Sequence, residues 1–508
     1  MRIAIIGAGF AGLAAAYRLR QAGFSDLFLF ERGSKPGGTW RDNTYPGCQC
    51  DVPSHLYSLS FFLKPDWSQS YAPQAEIQDY LESFVAHSQL NERIRFNCFV
   101  RSAQYLEDSK QWRLTIERVP AEATPDTSQS PGTPESPSNP EIQLFDIVIC
   151  ATGPLNRPVI PALPGLESFK GHYFHSSAWP QELELKGKKV ALVGTGASAI
   201  QIGPGIAGQV EKLVILQRTP AWIMPRSSHT YGAFWKSLFA AFPWLMRLHR
   251  YFLYWQQEVR AVGFLGLGPL SSLAQFLARQ MALWHLNRAG LSKELRESQI
   301  PNYKLGCKRI LLSDNWYETL RRSNVELIPQ AVVSCADNGV RLSDGTTKEV
   351  DVIVFATGFA ATDYFAPLAV KGLAGIDQRS AFAQTSANYL GICKKDFPDF
   401  FMMVGPGTGL GHNSIIFMME CQLDFILHAL NYKKRFSGQE RKALRVRETA
   451  QSNYYGAMRR RMKNTVFESG CKSWYQSKDG FVDILYSGFT FEYWLATRRF
   501  KAEDFILD

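Results

Sequence analysis

Residues 3–16 read I-A-I-I-G-A-G-F-A-G-L-A-A-A: four apolar residues run into Gly7-Ala8-Gly9-Phe10-Ala11-Gly12 and then into an alanine-rich segment. That order predicts a buried strand, a sharp turn and a helix. Gly7 permits the turn, Gly9 lets backbone amides approach a pyrophosphate, and Gly12 lets the helix lie close to the strand, with the helix N-terminus favouring the anion. The next strand, 27–30, ends in Glu31, placed to bind ribose hydroxyls. A plain glycine turn would account for the loop but not for a carboxylate at the end of the following strand.

The same order returns further along. A strand at 189–193 leads into Gly194-Thr195-Gly196-Ala197-Ser198-Ala199, and the strand after it, 213–216, is followed by Gln217, Arg218 and Thr219. Arg218 stands at the same distance from Gly194 as Glu31 does from Gly7. A carboxylate there suits free ribose hydroxyls, whereas a guanidinium suits a 2′-phosphate. The expected cofactors are therefore FAD in the first unit and NADPH in the second, with Gln217 and Thr219 assisting; a solvated arginine at a strand end is the plainer alternative.

Two segments echo each other: Asp146 to Gly153 (D-I-V-I-C-A-T-G) and Asp351 to Gly358 (D-V-I-V-F-A-T-G). Each predicts a short buried strand ending in a glycine turn, with Thr152, Thr357 and Gly358 at the turns. The expected class is α/β with two Rossmann-like dinucleotide-binding domains, the NADPH domain inserted in the FAD domain. The boundaries read are 1–153 for the first FAD part, 154–351 for the NADPH domain and 352–508 for the second FAD part.

A chain of 508 residues can hold two or three such domains. Its nine cysteines are scattered through apolar stretches without zinc-ligand or C-x-x-C spacing, which favours a reducing cytoplasm. The apolar start carries its glycines where a strand must turn, so no signal peptide is read. The net charge of +10 attracts phosphates or an anionic surface, though basic runs are more often solvated helix faces. No nucleic-acid module appears. Residues 120–140, dense in Pro, Ser, Thr and Glu, predict a hairpin loop. Residues 222–299 predict a helical insertion rich in aromatics; the uncharged run 261–278 is interrupted by Gly263, Gly266, Gly268 and Pro269, which disfavours a spanning helix. Two readings stand for it: helices lining a substrate entrance, or a peripheral seat on lipid.

Between the two glycine loops lies F-K-G-H-Y-F-H-S-S-A-W-P, residues 169–180. Phe169, Gly171, His175, Trp179 and Pro180 meet every fixed position of F-x-G-x-x-x-H-x-x-x-W-P, and this stretch resembles the Baeyer–Villiger monooxygenase fingerprint. Residues 37–51, G-G-T-W-R-D-N-T-Y-P-G-C-Q-C-D, are similar to a second pattern of that family. The resemblance covers nearly the whole chain. It implies a flavin-dependent enzyme that uses NADPH and O2 to convert a small hydrophobic ketone into an ester or lactone through a C4a-peroxyflavin.

By the resemblance, Gly37, Gly38, Thr39 and Trp40 lie along the flavin and Asp51 reaches its reaction side. Residues 303–309 are similar to the family segment whose final pair, here Lys308 and Arg309, serves the 2′-phosphate and the oxygenation site. A fixed guanidinium can stabilise both a peroxide and the adduct it forms with a carbonyl. His175 and Trp179 are expected in a hinge rather than in bond making. The chain departs from the family pattern at Cys307, where threonine is common, and at Ala360, where an acidic residue is frequent. The glycine-rich stretch 405–414 is expected to approach the flavin ring with its backbone, His412 included. Rival readings are a related enzyme that oxygenates sulfur or nitrogen, and a non-catalytic membrane-associated nucleotide-binding protein. Neither the particular ketone nor the oligomeric state follows from the residues.

Overall fold

The computed structural model describes residues 1–119, 140–384, 386–436, 438, 440–471, 473–476 and 480–508. Two five-stranded parallel sheets organise it. In the first, Ile3–Ile6 pairs with Leu27–Phe30 on one side and Ile147–Cys150 on the other, and Ile94–Arg95 and Phe400–Met402 form the edges. The two central strands, Ile3–Ile6 and Ile147–Cys150, are buried at every position, as a sheet covered on both faces requires. The helix Phe10–Gln21 and the 21-residue helix Ile415–Arg435 pack together over it.

The second sheet runs Val325–Ile328, Lys212–Leu216, Lys189–Val193, Val352–Phe355, His172–His175. This moves one boundary. Val352–Phe355, assigned by the division at residue 351 to the returning FAD part, is bonded on both sides within the second sheet, so the chain returns only after Gly358. The strand echoes Ile147–Cys150 in sequence because both are central parallel strands, and the burial pattern alone does not say which sheet a strand joins.

Smaller sheets complete the two units. Cys98–Leu106, Gln111–Arg118 and Glu141–Phe145 form antiparallel hairpins joined on the outer side by Ala369–Lys371. The hairpin loop read at 120–140 falls, at 120–139, outside the described residues, but its flanking strands pair from Trp112↔Phe145 to Ile116↔Glu141. Within 222–299, a short strand Ile223–Met224 pairs with Leu311–Leu312 and precedes helices α1 (Ala233–Ala241), α2 (Pro243–Arg260) and α3 (Pro269–Arg288). Among the described residues, no helix is long and apolar enough to cross a membrane.

Candidate active site

The two glycine loops open onto one cleft of about 1160 Å³ lying between the sheets. Its lining includes Gly7, Gly9, Glu31, Gly38, Thr39, Trp40, Asp51 and Thr152 from the first unit. From the second come Gly194, Gly196, Ser198, Arg218, Thr219, Lys308, Arg309, Thr357 and Gly358. Gly7 and Gly194 have matching backbone angles, φ +105° and +109°; a Cβ on either would meet a carbonyl oxygen, of Ala151 or Ala356, at 2.6 Å. Both turns are thus open to glycine alone. Gly12 does not line the cleft and instead packs its helix against the carbonyl of Gly7.

Both helices that follow the loops are suited to an anion. Phe10–Gln21 and Ala199–Ile206 begin at Gly9 and Ser198 with no side-chain cap and no acidic residue in the first turn. The leading amides of the first helix are open to a pyrophosphate, whereas in the second the Ile200 amide already donates to the Gly196 carbonyl at 3.1 Å, so there the amides of the loop before Ala199 are the ones that face an anion. The ribose positions differ. Glu31 is buried, and its carboxylate accepts from the Ala8 amide at 2.8 Å, the Gly33 amide at 2.8 Å and the Arg41 guanidinium at 2.6 Å. Burial opposes the Arg41 charge, but Glu31 and Asp42 outweigh it and raise its pKa. Arg218 is exposed, and Lys308, with its ammonium 4.6 Å from the Tyr303 ring centre, lies close enough that burial and then Arg218 lower its pKa. Among the described residues neither cation has a carboxylate partner. Such a pair suits a phosphate dianion. Gln217 takes no part in this: its amide donates to the Ser298 carbonyl at 3.3 Å, away from the loop.

Where the units meet, Arg309 donates to one oxygen of Asp51, Nε at 3.0 Å and Nη2 at 2.5 Å, leaving part of the guanidinium facing the cleft. Asp51 holds the Arg309 charge firmly in place, raising its pKa against the effect of burial. Tyr475 is fully buried beside Arg309; burial raises its pKa, and the charge and hydrogen bonding of Arg309 oppose the rise. Trp474 beside it lines the cleft. Cys307 is disulfide-bonded to Cys471, which ties the Lys308–Arg309 loop to the segment bearing these aromatics. Nothing local in the sequence marks this pair, because the two thiols are 164 residues apart and only folding brings them together.

The fingerprint residues lie outside the cleft. His175 is buried; its Nδ1 accepts from the Ser177 amide at 3.2 Å, which leaves Nε2–H to donate to the Gly358 carbonyl at 3.0 Å. Burial lowers its pKa to about 4, against the pull of Gly358, so the ring is neutral. A Cβ on Gly171 would meet Asp351 O at 2.2 Å and the Phe169 ring, while Trp179 sits edge-on to Phe174 at 5.2 Å. Just past Pro180, Gln181 donates to Thr44 Oγ1 at 2.7 Å, linking the fingerprint to the 37–51 loop. Within that loop Trp40 donates to the Tyr57 hydroxyl at 3.1 Å.

His412 does not line the cleft, although Gly409, Leu410 and Asn413 do. The stretch thus presents its backbone and Asn413, whose amide donates to Glu258 of α2 at 2.7 Å. Ala360 places only a methyl group at its turn, and its amide donates to the Arg157 carbonyl at 2.9 Å. Sequence reasoning missed Arg41, Trp474 and Tyr475. Arg41 stood in view at a variable position of the 37–51 pattern; the two aromatics carry no local signal.

The chain matches the family described as "Flavin-binding monooxygenase-like" over residues 1–373. It is 37% identical to a "Baeyer-Villiger monooxygenase" of Pseudomonas aeruginosa over 508 residues, covering all of this chain and 91% of the relative. The chain belongs to the Baeyer–Villiger type of flavin-binding monooxygenases. A second relative of that description, from Streptomyces coelicolor, is 37% identical over 98% of the chain and 91% of its own length. An oxidized steroid monooxygenase bound to NADP superposes with a TM-score of 0.82 at 26% identity, covering 100% of this chain and 99% of that one. The closed structure of cyclohexanone monooxygenase reaches 0.84 at 24% identity over the same shares and speaks for the fold. For a Baeyer–Villiger monooxygenase, the cleft's two glycine loops, with Arg218 and Lys308 free of carboxylates among the described residues, fit one dinucleotide without a 2′-phosphate and one with it.

Proposed function

We propose that this chain uses NADPH and FAD to insert one oxygen atom of O2 beside the carbonyl of a small hydrophobic ketone, giving an ester or lactone, NADP+ and water. The observation that carries this reading is Arg309, held by Asp51 at the point where the two nucleotide loops face one cleft. Bound FAD supplies the transfer of electrons from NADPH to O2. The residues do the rest. Arg218 and Lys308 grip the 2′-phosphate, and Glu31 with the Gly7–Gly12 loop seats the other ribose and pyrophosphate. Arg309 lies where negative charge develops on the ketone oxygen, and its guanidinium stabilises that charge without giving up a proton. Asp51 fixes the direction of the guanidinium. His175, neutral and bonded to the Gly358 carbonyl, couples the fingerprint to the second A-T-G turn and acts on position rather than on bonds.

The largely apolar lining, with Trp40, Leu410, Ile484 and Trp474, supports a hydrophobic substrate. The demand for NADPH supports a cytoplasmic setting, in which the seven unbonded cysteines are at ease. The test is product analysis by mass spectrometry after incubating FAD-loaded protein with NADPH, 18O2 and linear, cyclic and aryl ketones. Esters or lactones bearing one labelled oxygen bear out the proposal; labelled sulfoxides with every ketone untouched assign the enzyme to sulfur oxygenation.

A further inference from the structure

The helical insertion is built inside out. Along α2, Trp244, Leu248, Tyr251, Phe252, Trp255 and Val259 recur at helical spacing on one face, each more than half exposed. Several polar residues of the same helix, Arg250, Gln257 and Glu258, point inward. Arg250 donates to the His55 and Leu56 carbonyls at 2.7 and 3.1 Å, and buried Glu258 accepts from Asn413 and Thr490. Helix α3 repeats the pattern: Leu270, Leu273, Phe276, Leu277, Met281 and Trp284 are half exposed or more, while Ser271, Gln275 and His285 bond inward to the Leu267 amide and to the Gly263 and Ser313 carbonyls. With ~150–250 Å² for each aromatic side chain, half of it open, these faces expose on the order of 1000 Å² of apolar surface. A monomer in water rarely leaves more than a few hundred Å² uncovered.

Charge decides what covers it. Residues 233–288 hold six Lys and Arg against one acidic residue, and that one, Glu258, is buried. Arg247, Arg260, Arg279 and Arg288 are exposed, with Arg288 4.5 Å from the Trp284 ring centre. The α2 face also runs on into the C-terminal helix Thr490–Thr497. Trp255 meets Phe491 at 6.2 Å, Trp494 and Leu495 are exposed, and Arg498 lies 4.5 Å from the Trp494 ring centre. Two copies meeting through α2 and α3 would set arginine against arginine, with no exposed carboxylate on either helix to pair them. Exposed Trp, Phe and Leu bordered by arginines suit the interface of a bilayer with anionic headgroups.

We propose that the faces of α2 and α3 seat the protein on an anionic lipid surface, lying on the bilayer without crossing it. Their inner sides rest on the site. Ala282 packs with Trp222 and Leu305, and Phe264, between the helices, stacks on Phe467 at 5.6 Å beside Cys307. The attachment stands whichever substrate the cleft accepts.

The experiment is co-sedimentation of the FAD-loaded protein with vesicles of phosphatidylcholine alone or with about 30% phosphatidylglycerol, at low salt and at about 0.5 M salt. The expected result is binding to the anionic vesicles with a blue shift of tryptophan emission, weakened by salt. Arg247→Gln with Arg279→Gln should weaken it about fivefold per charge removed. Phe252→Ser with Trp255→Ser should abolish it, while NADPH oxidation without vesicles stays unchanged and reports an intact fold. Binding to neither vesicle, or equal salt-insensitive binding to both, overturns the proposal. So does a dimer in sedimentation velocity that the Phe252→Ser, Trp255→Ser variant dissolves, which would give the face to a second copy.

Discussion

The two nucleotide units share a backbone and differ in the state of one side chain. At the first, Glu31 is buried and already bonded to two amides and Arg41, so its carboxylate is fixed before any ligand arrives. At the second, Arg218 is exposed beside Lys308, two cations near one another without a carboxylate partner among the described residues. On the proposed reading, these are two ways to recognise a ribose. A satisfied carboxylate offers its remaining lone pairs in a fixed direction, whereas an open pair of like charges is costly until a phosphate comes between them.

The largest effect should come from the pair that joins the units. Arg309→Ala should lower ester formation about 100- to 1000-fold while NADPH is still consumed, with hydrogen peroxide released instead of ester; equal loss of both would mean that Arg309 serves reduction rather than oxygenation. Next, Gly7→Ala and Gly194→Ala should separate the two sites. The first should purify without bound flavin, and the second should keep its flavin absorbance and lose reduction by NADPH; any other pairing would break the comparison.

Arg218→Ala should raise KM for NADPH about 10- to 100-fold and leave the KM for NADH within a few-fold, since only the 2′-phosphate loses its partner. Lys308→Ala should act in the same direction, and an equal loss with both coenzymes would place these cations elsewhere. The smallest effect concerns His175. Its pKa is lowered from the ordinary 6.5 to about 4. The unfolded chain therefore takes up the proton first, and the contribution of His175 is full above about pH 6.5 and lost as pH falls toward 4, by roughly 3 kcal/mol at most. His175→Gln should flatten the dependence of denaturant stability on pH across that window; an unchanged slope would show that folding does not lower the pKa of the ring.

Much of this was legible because it is local. The strand, turn and helix around Gly7 and Gly194 occupy consecutive residues, and glycine is demanded by a backbone clash that any sequence there must avoid. Arg309 and Asp51, named through the family pattern, proved to touch. The join between the domains was legible only in part, because Val352–Phe355 reads as a buried strand in either sheet. Gln217, beside Arg218, seemed placed to help but is drawn off by Ser298 across the chain.

By itself, then, the sequence determined the kind of each unit and the charge at each ribose position, since both depend on residues within one continuous strand, turn, helix and strand. Only the tertiary structure decided the neutral state of His175, the bridge from Cys307 to Cys471, the placing of buried Tyr475 beside Arg309, and the outward turn of the apolar faces of α2 and α3. Helical periodicity shows that a face is apolar, but whether that face points into the core depends on which polar partners, here His55, Leu56, Asn413 and Thr490, have claimed the opposite side.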